Sequence, residues 1–352
     1  MGCTMSIEEK AAVARSNEID KYLAEEALRS SRDFTLLLLG GAESGKNTII
    51  QQMRIIYGVG FTQEDLNTYR PLIYNNTIYS FISILRAMPS LGISFRNNER
   101  EFDAKLVFDT AQRFHDTEPF SEELLLAMKK LRDDAGVQEC FSKSNQFQIN
   151  DSAQYFLDYL DRIGMSNYEP TEQDILRTHV SICGFNEITF PIGNLNFTIY
   201  DIPNVRCGSR RKWNHIFETA TAIMFCVAMS EYYQVLYEDE TTNRMQMSLS
   251  LFDSICNNKW FTDTPIILFL KKMDLFKEKI KKSPLTLCFP DYKGRGDENS
   301  AVDYIMTQFD VKNKSTTKSI YFYKTCALDG WTIKTAFDDI VKNRLYEGFC
   351  TY

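Results

Sequence analysis

The sequence predicts an α/β fold, with a mostly parallel sheet and an all-helical domain inserted into it. Short runs that are apolar at nearly every position recur between helical segments, at 34–39, 195–200, 222–228, 265–270 and 319–323. Such runs are typical of parallel strands that helices cover on both faces. Between roughly 61 and 175 these runs almost vanish and helical periodicity dominates. We therefore expect the helical domain to follow the first helix of the α/β domain.

The clearest helical pattern in that region is YNNTIYSFISILRAM, at 74–88. Its apolar residues recur at spacings of three and four and so share one face of a helix: Tyr74, Ile78, Phe81, Ile82, Leu85 and Met88. Residues 7–32 differ, because they are rich in Ala, Glu, Lys and Arg, contain no Pro or Gly and carry few apolar residues. We expect one long exposed helix there that presents a partner surface or a membrane face, with a merely solvated helix as the alternative.

Composition excludes several classes of function. The net charge of −7 argues against a general nucleic-acid binder, because phosphate contacts need clustered positive charge. The nine cysteines are scattered without metal-ligand spacing, which indicates a reducing, cytosolic context. The longest apolar runs, such as AIMFCVAM at 222–229, are too short to cross a bilayer, so any membrane attachment must have another source.

The first residues, MGCTMS, offer such a source. They fit the pattern for N-myristoylation at Gly2, and Cys3 beside it could carry a palmitoyl group. One acyl chain binds membranes only marginally, whereas two make the attachment stable. The alternative is that MGC has no meaning beyond being the start of the chain.

A phosphate-binding pattern lies in GGAESGKNT, from Gly40 to Thr48, between the first strand and the helix that follows it. In the pattern Gly-x-x-x-x-Gly-Lys-[Ser/Thr], backbone N–H groups cradle phosphates, the lysine reaches them and the final hydroxyl holds Mg²⁺. The final position here is Asn47. A strand before and a helix after the loop are what this mechanism requires. A glycine-rich turn with an exposed lysine is the alternative interpretation.

The order of several segments resembles heterotrimeric G-protein α subunits, and the inhibitory class most closely: MGCT, LLLLGGAESGKNT, NDSAQYFLDYLDRI, LRTHV, DIPNV, FDSICNNKWF, IILFLKKMD and TCALD. The likeness runs from Met1 to about Leu345. It implies an N-terminal lipidated helix over 1–32, a P-loop GTPase (Ras-like) domain over 33–60 and 176–352 with a six-stranded, mostly parallel sheet, and a helical domain over 61–175.

The resemblance also implies ligands, partners and a location. The ligands are GDP or GTP with Mg²⁺, and the partners are a G-protein βγ dimer and a seven-helix membrane receptor. The lipid anchor would hold the protein at the cytoplasmic face of the plasma membrane. No nucleic acid is expected as a partner. The C-terminal EGFCTY departs from the inhibitory class, which has cysteine fourth from the end where this chain has Phe349, so no receptor preference follows.

Residues that match the family's nucleotide site are carried over one by one. Asp274 matches the carboxylate that accepts from guanine N–H groups, and Ala327 matches the loop whose N–H meets the guanine oxygen. The implied nucleotide-binding set is Glu43, Ser44, Gly45, Lys46, Asn47, Thr48, Asp151, Ser152, Leu176, Arg177, Thr178, Asp201, Lys271, Lys272, Asp274 and Ala327. Guanine is therefore the expected base.

The chain departs from the family where Mg²⁺ and the catalytic arginine act. Asn47 replaces the serine whose hydroxyl ligates Mg²⁺, and we expect it to hold the metal poorly because octahedral Mg²⁺ geometry is strict. Ile182 replaces a threonine ligand. His179 replaces the internal arginine, which in this class of enzyme is worth about 10³-fold or more in hydrolysis. We expect a surface histidine there instead.

Two further departures affect the γ-phosphate and the base. Pro203, Asn204 and Val205 replace Gly-Gly-Gln, so the glycine N–H that senses the γ-phosphate and the glutamine that orients water are both lost. Lys271 replaces the asparagine of the guanine motif. We expect GTP hydrolysis near the uncatalysed background. We also expect a weakened affinity for guanine and a loop that can still hold phosphates, those of GDP in particular.

Three functions remain open at this stage. The first is a signalling α subunit that cycles between GDP and GTP, which the family supports and the departures oppose. The second is an α-subunit-like adaptor that binds βγ or a receptor without a nucleotide-driven switch, because binding surfaces can outlast a catalytic centre. The third, another P-loop enzyme such as a kinase, has little support because no second catalytic constellation is present.

Overall fold

The computed structural model describes most of the chain, with gaps: residues 15–16, 18–22, 32–112, 119–180, 186–202, 214–236, 239, 241–294, 296–326 and 328–345. Its centre is a six-stranded sheet in the order β2-β3-β1-β4-β5-β6. The strands are β1 Asp33–Gly40, β2 Asn186–Ile192, β3 Leu195–Asp201, β4 Ala222–Ala228, β5 Ile266–Lys271 and β6 Ile320–Lys324. All neighbouring strands pair in parallel except β2 and β3. The predicted α/β fold with a mostly parallel six-stranded sheet is confirmed.

The sequence runs predicted five of these strands to within a residue or two but gave no sign of β2. That strand lies at the edge of the sheet, pairs only with β3 among the described strands, and alternates exposed positions with half-buried or buried ones. An antiparallel edge strand needs only one apolar face, so it does not form the continuous apolar run of a parallel central strand. By contrast, every residue of β4 and β5 is buried.

Thirteen α-helices surround the sheet or form the inserted region within the described residues. They are α1 Lys46–Tyr57, α2 Gln63–Ser90, α3 Arg100–Gln112, α4 Glu122–Asp133, α5 Ala135–Ser142, α6 Ala153–Asp158, α7 Leu160–Ile163, α8 Glu172–Arg177, α9 Asn214–Glu218, α10 Arg244–Cys256, α11 Met273–Lys279, α12 Glu298–Asp310 and α13 Gly330–Asp339. Short 3₁₀ turns occupy Ser144–Gln146, Met229–Glu231, Lys259–Phe261 and Leu285–Leu287, and a π-helical stretch spans Ile340–Leu345.

Helices α2 to α7 share a hydrophobic core separate from those on the sheet. The long helix α2 begins with a capping box, in which Thr62 accepts from the Asp65 N–H and Asp65 accepts from the Thr62 N–H. Helix α8 begins in the same way with Thr171 and Asp174. The face predicted from 74–88 is buried, with Phe81 at 0% and Ile78 at 1% exposure. This helical unit leads back to the sheet at Arg177, where α8 ends.

Both faces of the sheet are covered, as the continuous apolar strands require. On one face Phe225 of β4 packs edge-on against Phe252 of α10, which in turn packs against Phe309 of α12. On the other face Phe197 of β3 packs edge-on against Phe337 of α13. The carboxyl ends of β1, β3, β4 and β5 therefore meet at one edge of a rigid layer, which is where open α/β sheets bind ligands.

The N-terminal segment is described only at residues 15–16 and 18–22, which are helical and exposed. Ile19 and Tyr22 are among the exposed large apolar side chains. None of the helices in the described ranges combines the length and the apolar character that crossing a bilayer demands.

Candidate functional site

The loop after β1 has a backbone that requires glycine at two places. Gly40 has φ +149°, and a Cβ there would lie 2.5 Å from the Cys226 carbonyl oxygen of β4. Gly45 has φ +82°, caps the N-terminus of α1, and would place a Cβ 2.8 Å from the Lys271 ammonium. Glu43 also has positive φ, at 57°. These constraints hold the loop close to β4 and β5, as a backbone cradle demands.

Helix α1 begins at Lys46 and carries no acidic residue in its first turn, so its N-terminal dipole remains available to an anion. The Lys46 ammonium curls back over the loop and donates to the carbonyl oxygens of Gly40 and Gly41, at 3.0 and 2.9 Å. Burial lowers the pKa of Lys46, and the charge of Asp201 opposes that shift. The loop therefore presents a desolvated cation next to unpaired helix N–H groups.

A cavity of about 480 Å³ opens above this loop, where the inserted helices meet the carboxyl ends of the strands. Every described residue of the predicted nucleotide-binding set lines it: Glu43, Ser44, Gly45, Lys46, Asn47, Thr48, Asp151, Ser152, Leu176, Arg177, Thr178, Asp201, Lys271, Lys272 and Asp274. His179, Val180, Cys326 and Leu328 line it as well. The structure thus brings together segments that are far apart in the chain.

One side of the cavity is closed by a network of paired charges. The Lys272 ammonium lies 2.8 Å from Asp151 and 2.9 Å from Glu231, and Lys279 lies 3.0 Å from Asp151. Although burial opposes both shifts, these partners hold the pKa of Asp151 well below its usual range and raise that of Lys272. Lys272 also has φ 57°, an unusual backbone conformation that the ion pairs help to hold.

The network extends to the phosphate loop. Arg244 of α10 lies 2.7 Å from the Glu43 carboxylate and 3.8 Å from Glu231. Burial raises the pKa of Glu231, and the charges of Lys272 and Arg244 oppose that rise. Glu43, Glu231 and Asp151 therefore each have a cationic partner. This connects the loop, the sheet and the inserted helices through side chains alone.

The opposite side of the cavity is held by hydrogen bonds to the main chain of 178–180. Asn47 donates from its side-chain amide to the Val180 carbonyl oxygen at 3.0 Å. Asn76 of α2 accepts from the His179 N–H and donates to the His179 carbonyl oxygen, both at 3.0 Å. The His179 side chain is exposed, as expected of a surface histidine. The segment is therefore fastened both to α1 and to the inserted helices.

Two buried polar groups on this side lack hydrogen-bond partners among the described residues. They are Oδ1 of Asp201, which is 4% exposed, and Nε of Arg177. Burial raises the pKa of Asp201, and the charge of Lys46 opposes that shift. The Arg177 guanidinium stacks over the ring of Tyr155 at 4.5 Å. Buried polar atoms are seldom left unpaired, so we expect these two groups to hydrogen-bond to a ligand or to water.

Lys271, at the end of β5, is completely buried, and its ammonium donates to the Gly45 carbonyl oxygen. Burial lowers its pKa to about 8. The buried lysine thus lies directly against the phosphate loop.

Beside the phosphate loop, the oxygen donors that a divalent cation could meet include the Asp201 carboxylate and the Asn47 amide, which replaces the hydroxyl that a magnesium-binding loop provides. Within the part of the chain that the structure describes, no group of three or more His, Cys, Asp or Glu residues could hold a metal ion.

A family model described as G-protein alpha subunit matches residues 13–344. The chain belongs to the G-protein α subunit family. It is 63% identical to the "Guanine nucleotide-binding protein G(o) subunit alpha" of Locusta migratoria, over 97% of this chain and 96% of that protein. The proteins of the same name from Caenorhabditis elegans and Planorbella trivolvis are 60% and 59% identical over the same shares. These identities place this α subunit in the inhibitory (Gi/o) class.

Several predicted site residues of this α subunit lie outside the described residues. They are Gly2, Cys3, Ile182, Pro203, Asn204, Val205, Ala327 and Phe349. Their proposed roles rest on the sequence alone.

Other residues at the site of this α subunit had no signal in the sequence. Asn76, Glu231 and Arg244 belong to no motif, and each acts through a partner that is distant along the chain. Lys279 is a partial exception, because it lies seven residues after Lys272, about two helical turns, and α11 brings both to Asp151. That spacing could have identified it once Lys272 was assigned.

Proposed function

We propose that this α subunit binds a guanine nucleotide, GDP in particular, in the cavity above the phosphate loop. The observation that carries the proposal is that the loop, Asp274 and the 149–152 segment of the inserted helices line one cavity at the carboxyl ends of the strands. The loop N–H groups and Lys46 would hold the phosphates. Asp274 would accept from guanine N–H groups, a pairing that adenine cannot offer.

We propose further that GTP hydrolysis is near the uncatalysed background. His179 lacks the planar fork with which arginine neutralises developing charge, and its main chain is fastened to Asn76 rather than free to rearrange. Val205 cannot orient a water molecule. Losses that serve one transition state do not add simply, so the residual rate cannot be built from single-residue factors.

Single-turnover hydrolysis of radiolabelled GTP by the purified full chain tests this proposal. The wild-type protein should hydrolyse bound GTP no faster than background, and the double variant His179→Arg/Val205→Gln should hydrolyse it measurably faster. Wild-type hydrolysis at the rate of an α subunit with intact motifs would overturn the proposal. Filter binding of labelled GDP run in parallel separates failure to bind from failure to hydrolyse.

Magnesium should matter less here than in a loop with a hydroxyl ligand. Asn47, whose amide nitrogen donates to Val180, has a longer side chain than the serine it replaces, so its amide oxygen suits a strict octahedral cation beside Asp201 poorly. We expect equilibrium GDP affinity to change little between excess Mg²⁺ and EDTA. A large loss of affinity in EDTA would show that the metal is held after all.

A second function, an adaptor that does not switch with nucleotide, is favoured by one observation. Asn47 and Asn76 hydrogen-bond directly to the main chain of Val180 and His179, which holds this segment against α1 and α2. A GTP analogue should then fail to protect the tryptic sites at Arg210 and Arg211, while binding of a βγ dimer persists. Protection by the analogue with Mg²⁺ would favour a cycling signal transducer instead.

The proposed function also includes partners and a location at the membrane. As a signal transducer of the inhibitory class, the chain would bind a βγ dimer and a seven-helix receptor at the cytoplasmic face of the plasma membrane. Myristate on Gly2 and palmitate on Cys3 would anchor it there. Labelling of cells with alkynyl fatty acids should mark the wild type with both chains. The Gly2→Ala variant should lose the myristate label and move to the soluble fraction.

A further inference from the structure

The buried lysine at position 271 differs from the other two lysines beside the phosphate loop. Lys272 has two carboxylate partners and Lys46 donates to two carbonyl oxygens. Lys271 is 0% exposed, and its one hydrogen bond among the described residues is to the Gly45 carbonyl oxygen. An ammonium has three protons to donate, so two remain without a partner there.

The groups that face Lys271 do not supply a countercharge. They are Cys226 of β4, Cys326 after β6, Lys46 of α1, and Lys272, which follows Lys271 in the chain. In the described parts of the chain, no carboxylate oxygen lies within 4.0 Å of its ammonium. A buried charge without a partner is expensive, and proteins usually pair it or neutralise it. The arrangement is therefore incomplete without an anion.

The position of Lys271 indicates that such an anion would lie at the phosphate loop. Lys271 lines the same cavity as Lys46 and Gly45, next to the N-terminus of α1. A neutral side chain could also donate to the Gly45 carbonyl oxygen, and the family resemblance implies asparagine at this position. Hydrogen bonding to the loop therefore does not explain why a charge is buried here.

We propose that Lys271 is a second positive charge of the phosphate loop, which lies against Gly45 and, together with Lys46, attracts the diphosphate group of the nucleotide without a divalent metal. The inference rests on the proposed function for the identity of the ligand, a nucleoside diphosphate. In this chain the same loop loses a metal-binding hydroxyl at Asn47 and gains an ammonium against Gly45. The ammonium supplies positive charge at a loop that has lost a ligand for a positively charged metal.

Isothermal titration of the full chain in EDTA, with sodium pyrophosphate and with GDP, tests the inference. Lys271→Met keeps the length of the side chain and removes its charge, and Lys271→Asn restores the family's residue. Lys318→Met is the matched control, because Lys318 is also buried and donates to a backbone carbonyl, that of Cys256, but does not line the cavity. Circular dichroism and melting curves identify any variant that does not fold.

Wild type and Lys318→Met should bind both probes in EDTA, and both Lys271 variants should bind each about tenfold or more weakly, as loss of a nearby buried positive charge predicts. Unchanged pyrophosphate affinity in the folded Lys271 variants would overturn the inference and leave the proposed function intact. Pyrophosphate binding that depends on Lys271, without any GDP binding, would support the inference and overturn the proposed function. Binding of pyrophosphate by the wild type only when Mg²⁺ is added would also overturn the inference.

Discussion

The two sides of the cavity satisfy their polar groups in different ways. On the side of Lys272, each carboxylate has a cation within 4.0 Å, supplied by another part of the same chain. On the side of the phosphate loop, Lys271 lacks a countercharge, and Asp201 retains an unpaired oxygen among the described residues. On the side of Lys272, the charged groups are therefore paired within the protein. On the side of the phosphate loop, we expect the unpaired groups to find their partners only when a ligand binds.

This difference separates structural charges from binding charges. A network that neutralises itself holds the inserted helices against the sheet whatever the cavity contains, so it should govern stability. Groups left without partners raise the energy of the ligand-free protein and lower it again on binding, so they should govern affinity. Each of the following substitutions tests which of these two descriptions applies.

The largest effect should come from Lys272→Met. The substitution leaves Glu231, which is 6% exposed, and Asp151 without their main partner. Breaking a buried pair by removing one member costs about 3–5 kcal/mol in the free energy of unfolding. Urea denaturation followed by circular dichroism measures it. Lys334→Met, which removes an exposed pair with Asp338, should change stability by less than about 0.5 kcal/mol; equal losses in the two variants would contradict the distinction.

Lys271→Met should act in the opposite direction on the ligand-free protein. The pKa of Lys271 is lowered by burial to about 8, below the unfolded value of about 10.4, so the folded state binds fewer protons between these pH values. Wild-type stability should therefore rise with pH across that window. The variant should be about 3 kcal/mol more stable at pH 7, and this advantage should shrink towards pH 10.4. Melting temperatures at pH 7, 9 and 10 measure the trend.

A variant that is less stable than the wild type at pH 7 would show that the contact with Gly45 outweighs the buried charge. Lys271 would then belong with the structural charges on the other side of the cavity.

Asn76→Ala should loosen the 178–180 segment. It removes both hydrogen bonds to the His179 main chain, which together are worth about 1–3 kcal/mol. Hydrogen exchange at the His179 amide should become faster. Asn76→Asp is the matched variant, because it keeps the acceptor for the His179 N–H and loses the donor, so its effect should be intermediate. Unchanged exchange in both variants would show that Asn76 does not fasten the segment.

The smallest change in stability should follow from Asn47→Ser. It removes the hydrogen bond to Val180 at a cost of about 0.5–1.5 kcal/mol and supplies the hydroxyl that a magnesium-binding loop uses. We expect the affinity of a GTP analogue to become more dependent on Mg²⁺ than in the wild type. An equal dependence in the two proteins, measured by equilibrium binding with Mg²⁺ or EDTA, would show that Asn47 is not what limits the metal.

Local patterns predicted most of the fold. Five strands could be predicted because a strand covered on both faces is apolar at nearly every position. The phosphate loop could be predicted because its glycines and lysine lie close together in the chain. Strand β2 could not be predicted, because the sequence pattern of an edge strand with one packed face resembles that of many exposed segments. The residues around the cavity were predicted from the family resemblance, and the order of the motifs along the chain indicated that resemblance.

The sequence by itself determined the family, the parallel sheet and the set of residues that meet at its edge, because each depends on neighbours along the chain or on motif order. Only the tertiary structure decided which of those residues have partners. Lys272 and Asp151 are 121 residues apart, and Asn47 and Val180 are 133 apart. Whether a buried charge is paired depends on what the fold brings within about 4 Å of it, and no local pattern encodes that distance.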